Sequence, residues 1–236
     1  MIGFRIFELK RRVNELWISK FRKIPVANIS DVMTRMTAGG PALRPMHAAG
    51  VLAGPAFTVK TRPGDNLMVH KALAMAQPGD VIVVDAGGDL TNAIIGEIMT
   101  STAQKRGIAG IVINGAIRDV GTISKGCFPV YAAGVTHRGP YKDGPGEINV
   151  PISLGGMVIE PGDLILGDED GLLSIPFNEV EGIYAAAHAK HVLEERMLAD
   201  IAQDKLDISW IDQALTRLQC EGVQSPATPA IKKASA

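Results

Sequence analysis

Apolar positions along the chain change period several times, and each change marks an element. Phe4, Phe7, Val13, Leu16, Trp17 and Phe21 recur at helical spacing with Lys and Arg between them. This predicts an amphipathic helix over residues 1–24 that docks on its own domain or on a sister subunit. Pro25 ends it, and Ser30 is expected to cap a second helix with Asp31 in its first turn. From residue 51 to 115 short β-rich runs alternate with helical stretches. Strands are expected at residues 56–62, 81–84 and 111–113, with Asn114-Gly115 closing the last. Helices are expected at 70–76, at 97–106 with Gly107 as the stop, and at 119–125. Strand–helix–strand order at this spacing is the pattern of a parallel sheet with right-handed crossovers. After Gly144 the runs 148–150, 157–159, 164–166 and 172–175, separated by turns, predict an antiparallel meander. Helices over 178–202 and 208–218 follow. The segment from Glu221, rich in Pro, Ala, Ser and Lys, is expected to be a disordered tail. The reading is an α/β domain at residues 25–220, part parallel and part antiparallel, between a helical leader and that tail.

Composition narrows the class. In 236 residues, 46% are hydrophobic, and 24 basic side chains nearly balance 25 acidic ones. No dedicated nucleic-acid binder is expected from that balance. The leader holds seven Lys/Arg against two acids, but no apolar run approaches the ~18 residues that span a bilayer. A basic amphipathic helix also suits a membrane surface; docking on protein is the preferred reading, and no membrane partner is expected. Nor does the leader read as a secretory signal. Two distant cysteines, Cys127 and Cys220, exclude a disulfide framework, and the expected compartment is the cytoplasm. Cys127 reads as a small core residue.

In an open α/β sheet, ligands bind beyond the carboxyl ends of parallel strands, beside helix N-termini. Two such ends stand out, residues 85–88 leading to Gly96-Glu97, and residues 114–119. With the helix starting after Gly96, the N–H groups of Glu97, Ile98 and Met99 would face the crevice as a seat for a carboxylate or phosphate. Arg118 can grip an oxo acid bidentately, and Asp119 can ligate a hard cation. Other chemistries find less support. There is no GxSxG elbow for a serine hydrolase and no GxGxxG after a strand for a dinucleotide. Lys105, Lys125 and Lys142 sit late on a helix or in turns, which argues against a Schiff base. His188 and His191, three residues apart on the long helix, read as a surface pair. Arg62 caps its turn or faces the site, and His137-Arg138 is a candidate contact for a distal carboxylate.

Gly96-Glu97, then twenty residues, then Arg118-Asp119 resembles a motif of the 4-hydroxy-4-methyl-2-oxoglutarate/4-carboxy-4-hydroxy-2-oxoadipate aldolases and the regulators of ribonuclease E activity. The likeness runs over residues 24–202. It takes in Asp65-Asn66, the stretch 107–119, Gly144-Pro145-Gly146-Glu147, and residues 161–163 through 167–171. The resemblance implies a compact α-β-β-α sandwich of the swivelling β/β/α type, assembled as homotrimers or homohexamers with active sites between subunits. It also implies roles. Asp119 would bind Mg²⁺ or Mn²⁺, Glu97 would hold a water beside it, and Arg118 would contact a pyruvyl group. The amides of Ile98 and Met99, beside Gly96, would receive the substrate carboxylate. Glu194 or Glu195 would come from a neighbouring subunit. Many aldolases of the group carry Asp where this chain has Glu97. The implied reaction cleaves a 4-hydroxy-2-oxo acid to pyruvate, and oxaloacetate decarboxylation follows from the same enolate. The alternative is a non-catalytic protein of the same fold that regulates a ribonuclease.

Overall fold

Strand β1 (Phe4–Ile6) opens the chain where apolar spacing predicts a helix. The computed structural model describes residues 1–35 and 39–222 and divides them into two units, one over Met1–His191 and the other beginning at Val192. Of the expected leader helix only α1 (Glu15–Phe21) exists. Phe4, Arg5 and Ile6 pair in parallel with Gly146, Glu147 and Ile148 instead. They cover backbone groups on a sheet edge that would otherwise lack partners. Asn14 starts α1, its side chain accepting the Trp17 N–H at 3.1 Å. Ile18 and Phe21 turn into the core, so α1 docks on its own domain. The second helix, α2 (Val26–Val32), also departs from expectation, because Ser30 lies inside it. Pro25 occupies the cap position and has no side-chain donor or acceptor. The Val26 N–H is met by Asp168 Oδ2 at 2.9 Å, a carboxylate 142 residues away.

The remaining elements of the first unit begin with β2 (Arg44–Pro45), β3 (Leu52–Thr61), α3 (Leu67–Met75), β4 (Val81–Asp85), β5 (Ala93–Ile95) and α4 (Glu97–Lys105). Then come β6 (Gly110–Ile117), α5 (Val120–Ile123), β7 (Val130–Val135), β8 (Gly146–Ile148), β9 (Ile152–Leu154), β10 (Met157–Ile159), β11 (Leu164–Gly167) and β12 (Leu172–Ile175). Helix α6 (Val180–Ile201) begins in this unit and runs into the second, which also holds α7 (Ser209–Arg217). The expected tail lies outside the described residues except for Glu221 and Gly222.

The main sheet runs β1-β8-β3-β4-β6-β7-β2. Strands β3, β4, β6 and β7 are parallel, with β8 antiparallel to β3. This is the mixed α/β sheet expected from sequence. Two details differ. Asn114-Gly115 does not close β6, which continues to Ile117 across an irregularity between Ile113 and Ala116. There the unanticipated β5 supplies the partner, Ile95 opposite Ile117. The four late runs also form no single meander: the first overlaps β8, which pairs with β1 and β3, and an unanticipated β9 precedes β10. β9 and β10 make a separate hairpin, while β11 and β12 join the sheet through the first residues of β3.

Alternation along the central strands builds two faces. Ile82 and Val84 of β4 enter a cluster with α3 and α4, whereas Val81 and Val83 meet Leu154 and Ile159 of the β9–β10 hairpin. A third cluster joins α1, α2 and the first turns of α6 to β11 and β12. Cys127 is not part of any core; it is exposed. His188 stacks on Tyr184, centroids 5.5 Å apart, a packing role that fits the surface-pair reading.

Candidate active site

Helix α4 starts at the carboxyl end of β5, and α5 starts at the carboxyl end of β6, so both N-termini meet at one end of the parallel sheet. Asp119 is the hinge between β6 and α5. Its φ of 58° is left-handed, a conformation that few non-glycine residues adopt and that costs of order 1–3 kcal/mol. That turn swings the carboxylate back toward α4, where Oδ2 accepts the Glu97 N–H at 3.0 Å. The Arg118 Nε stands 3.7 Å from the same oxygen. Both side chains are about two-fifths exposed, at 42% and 40%, so they remain open to a ligand. The main chain of Arg118 is fixed by its N–H to the Ile95 carbonyl at 3.0 Å.

Together these groups line a cleft of about 170 Å³. Gly96, Ile98, Met99, Arg118 and Asp119, all expected from sequence, border it. The amides, however, are not equivalent. The Met99 N–H donates to the Gly96 carbonyl at 3.1 Å, and its side chain is buried. The first helical turn therefore takes up that donor, against the expectation that it would receive a carboxylate. The Glu97 N–H is taken by Asp119. Ile98, 78% exposed at the rim, keeps an N–H with no protein acceptor among the described residues. The Glu97 side chain turns to an adjoining hollow, where Oε2 accepts from the Thr122 hydroxyl at 3.3 Å.

The structure adds residues that the sequence reading gave no role. Asn66, His70, Pro140 and Lys142 also line the cleft. Asn66 is buried; its Nδ2 donates to the Ile94 carbonyl at 2.9 Å, and its Oδ1 finds no partner. Burial, together with the nearby Lys142 charge, holds the His70 imidazole below its ordinary pKa. The signal for Asn66 was the Asp65-Asn66 pair within the motif; nothing local marked His70. Asp65 itself is fully buried. It accepts from the N–H groups of Leu67, Asp143 and Gly144 at 2.9, 2.7 and 2.9 Å and from Arg62 at 3.1 Å. Burial opposes its charge, yet these donors outweigh it and keep the carboxyl below the ordinary range. Arg62 thus serves its turn. His137 and Arg138 do not border the cleft; the Arg138 carbonyl receives the Ala93 N–H.

Glu194 and Glu195 lie on the part of α6 that belongs to the second unit. Among the described residues no three His, Cys, Asp or Glu side chains gather as a metal cage. No helix among them is long and apolar enough to cross a membrane.

Residues 26–173 match the family model RraA-like, described as Aldolase/RraA. The chain belongs to that family. A protein of Halalkalibacterium halodurans named "Putative 4-hydroxy-4-methyl-2-oxoglutarate aldolase" is 44% identical over 179 residues, covering 76% of this chain and 85% of that one. The 4-hydroxy-4-methyl-2-oxoglutarate aldolase of Thermus thermophilus is 38% identical over 112 residues, covering 48% and 68%. Among solved structures, an uncharacterized protein of Pseudomonas syringae superposes with a TM-score of 0.75 at 26% identity, covering 84% and 92%. The RNA-processing inhibitor RraA from Thermus superposes with a TM-score of 0.61 at 31% identity, covering 65% and 93%.

Proposed function

We propose that this protein is a divalent-metal-dependent carbon–carbon lyase. It cleaves a 4-hydroxy-2-oxo di- or tricarboxylic acid to pyruvate and a second oxo acid, and it decarboxylates oxaloacetate. The names of its relatives support an aldolase. The observation that carries the reading is the convergence of Arg118, Asp119 and the Ile98 N–H on one cleft, with nothing but hydrogen on Gly96 between them.

The donor set suits a hard cation. One accessible carboxylate, without a cage of other ligands, fits Mg²⁺ or Mn²⁺ that keeps several of its waters. Bound at Asp119, such an ion would supply Lewis-acid stabilisation of charge developing on the 2-oxo oxygen. The protein does the rest. The Arg118 guanidinium and the Ile98 N–H hold the pyruvyl carboxylate and oxo oxygen. Lys142 faces the distal carboxylate. Glu97 takes the C4-hydroxyl proton through an intervening water. The C3–C4 bond then breaks, its electron pair becomes the pyruvate enolate, and a proton returns to C3. Loss of CO₂ from oxaloacetate leads to the same enolate and needs no base. Glu194 or Glu195 of a neighbouring subunit completes the water network in a homotrimer or homohexamer.

A purely binding protein, the reading that the name of the Thermus RNA-processing inhibitor fits, has no need of a strained aspartate beside an accessible arginine. Pyruvate release from 4-hydroxy-4-methyl-2-oxoglutarate and from oxaloacetate decides the matter. Turnover with Mg²⁺ that EDTA abolishes and Asp119→Ala loses is expected. A folded protein that releases pyruvate from neither acid, with Mg²⁺ or Mn²⁺ supplied, overturns the proposal.

A further inference from the structure

The cleft wall that carries Pro140 and Lys142 is held from two sides by groups with no part in the chemistry above. On its inner side Asp65 takes the N–H groups of Asp143 and Gly144. On its outer side stands β1. The Gly3 N–H donates to Glu147 Oε1 at 3.1 Å, and the Arg5 guanidinium pairs with the same oxygen. Glu147 follows the wall directly, as the middle residue of β8, and lies opposite Lys60 of β3 in register. Beyond the pair, the Phe7 N–H donates to the Ile148 carbonyl at 3.2 Å, and Asn149 Nδ2 donates to the Phe7 carbonyl at 2.9 Å. The Phe4 ring lies against Gly144, 3.4 Å from where a Cβ would stand.

This strand has three residues, all in front of the region matched by the family model. Without it, β8 would be a three-residue edge strand bonded on one side alone. Strands so short open locally at little cost. The outward side chains of β1 are apolar and its inward one is charged: Phe4 and Ile6 are half exposed while Arg5 reaches the buried Glu147. A strand present only to bury apolar surface would point the other way. Its inward contact is an ion pair at the base of the cleft wall.

We propose that β1 is a clamp that positions the Lys142 wall for substrate, with Arg5 and Glu147 as positioning residues acting through their ion pair. The kinetic consequence rests on the lyase reading; the mechanical one does not. Two measurements on the full chain separate them. In Arg5→Ala, amide hydrogen exchange over residues 141–148 should accelerate about tenfold while α4 and β6 keep their wild-type rates. KM for the oxo acid should rise about tenfold with kcat within about twofold, because the loosened wall weakens binding and leaves the reacting groups alone. Arg5→Lys should restore most of both, and Glu147→Gln should reproduce Arg5→Ala. Unchanged exchange at 141–148, or acceleration spread equally over α4 and β6, overturns the clamp. If the wild type turns over no oxo acid, only the lyase reading falls. A localised rise in exchange then still sustains the clamp, and its absence still removes it.

Discussion

Gly96 and Asp119 compete for the same space: a methyl group on Gly96 would overlap Asp119 Oδ2 and come within 2.9 Å of Arg118 Cγ. The backbone of Gly96 is extended, at φ −152°, so any residue could adopt it. Glycine is required there by the neighbouring side chains, not by the main chain. Gly96→Ala should therefore push the Arg118–Asp119 pair out of place. The expected loss in kcat/KM is about 100-fold or more, with the melting temperature lowered by roughly 5 °C or less. Steady-state kinetics beside thermal unfolding check it.

Arg118→Lys keeps the charge and loses the planar fork. The Nε that stands beside Asp119 has no counterpart in lysine, and a carboxylate can no longer be held by two parallel bonds. The expected drop in kcat/KM is on the order of 100-fold, with unfolding little changed, since the side chain is about two-fifths exposed and holds no buried partner. Full activity in this variant would show that charge alone is enough.

Asp65 makes stability sensitive to acid. Its carboxyl is held below the ordinary aspartate range in the fold, so its contribution is complete above that range and is lost as pH falls through the folded value. Asp65→Asn should be less stable than the wild type at neutral pH by about 2 kcal/mol, and the gap should narrow as the pH is lowered. Denaturant melts between about pH 7 and pH 3 read this directly. Parallel curves over that span would contradict it.

Asp168 acts as the cap of a helix far away in sequence. Removing its carboxylate in Asp168→Ala leaves the Val26 N–H without an acceptor. The expected cost is about 1 kcal/mol, with little change in catalysis because α2 lies outside the cleft. Asp168→Asn, which keeps an acceptor oxygen, should recover most of the loss.

Much of the site was legible in the sequence because its signals are local. A glycine followed by an acid reads as a helix start, and α4 begins there. An all-apolar run reads as a buried strand, and β4 and β6 follow from it. The crevice rule then puts Arg118 and Asp119 beside Gly96, and the cleft contains all three. The Met99 amide shows the limit of that logic. Counting free N–H groups at a helix start does not tell which of them the first turn will use. His70 was given no role and Lys142 was set aside as a turn residue, yet both border the cleft, since the helix and the turn that carry them come together only after the chain has folded.

The sequence alone determined the α/β class, the order of most elements and the pair of neighbouring residues on which the proposed chemistry depends, because each is written in periods and turn residues a few positions long. Tertiary structure decided whether the first residues form strand or helix, where α2 begins and what else lines the cleft beside Arg118. In each case the deciding partner is remote in the chain: β8 for Phe4, Asp168 for Val26, and Asn66 with Lys142 for the cleft. Hydrogen bonds and charges between distant residues exist only in three dimensions, and no local pattern carries their mark.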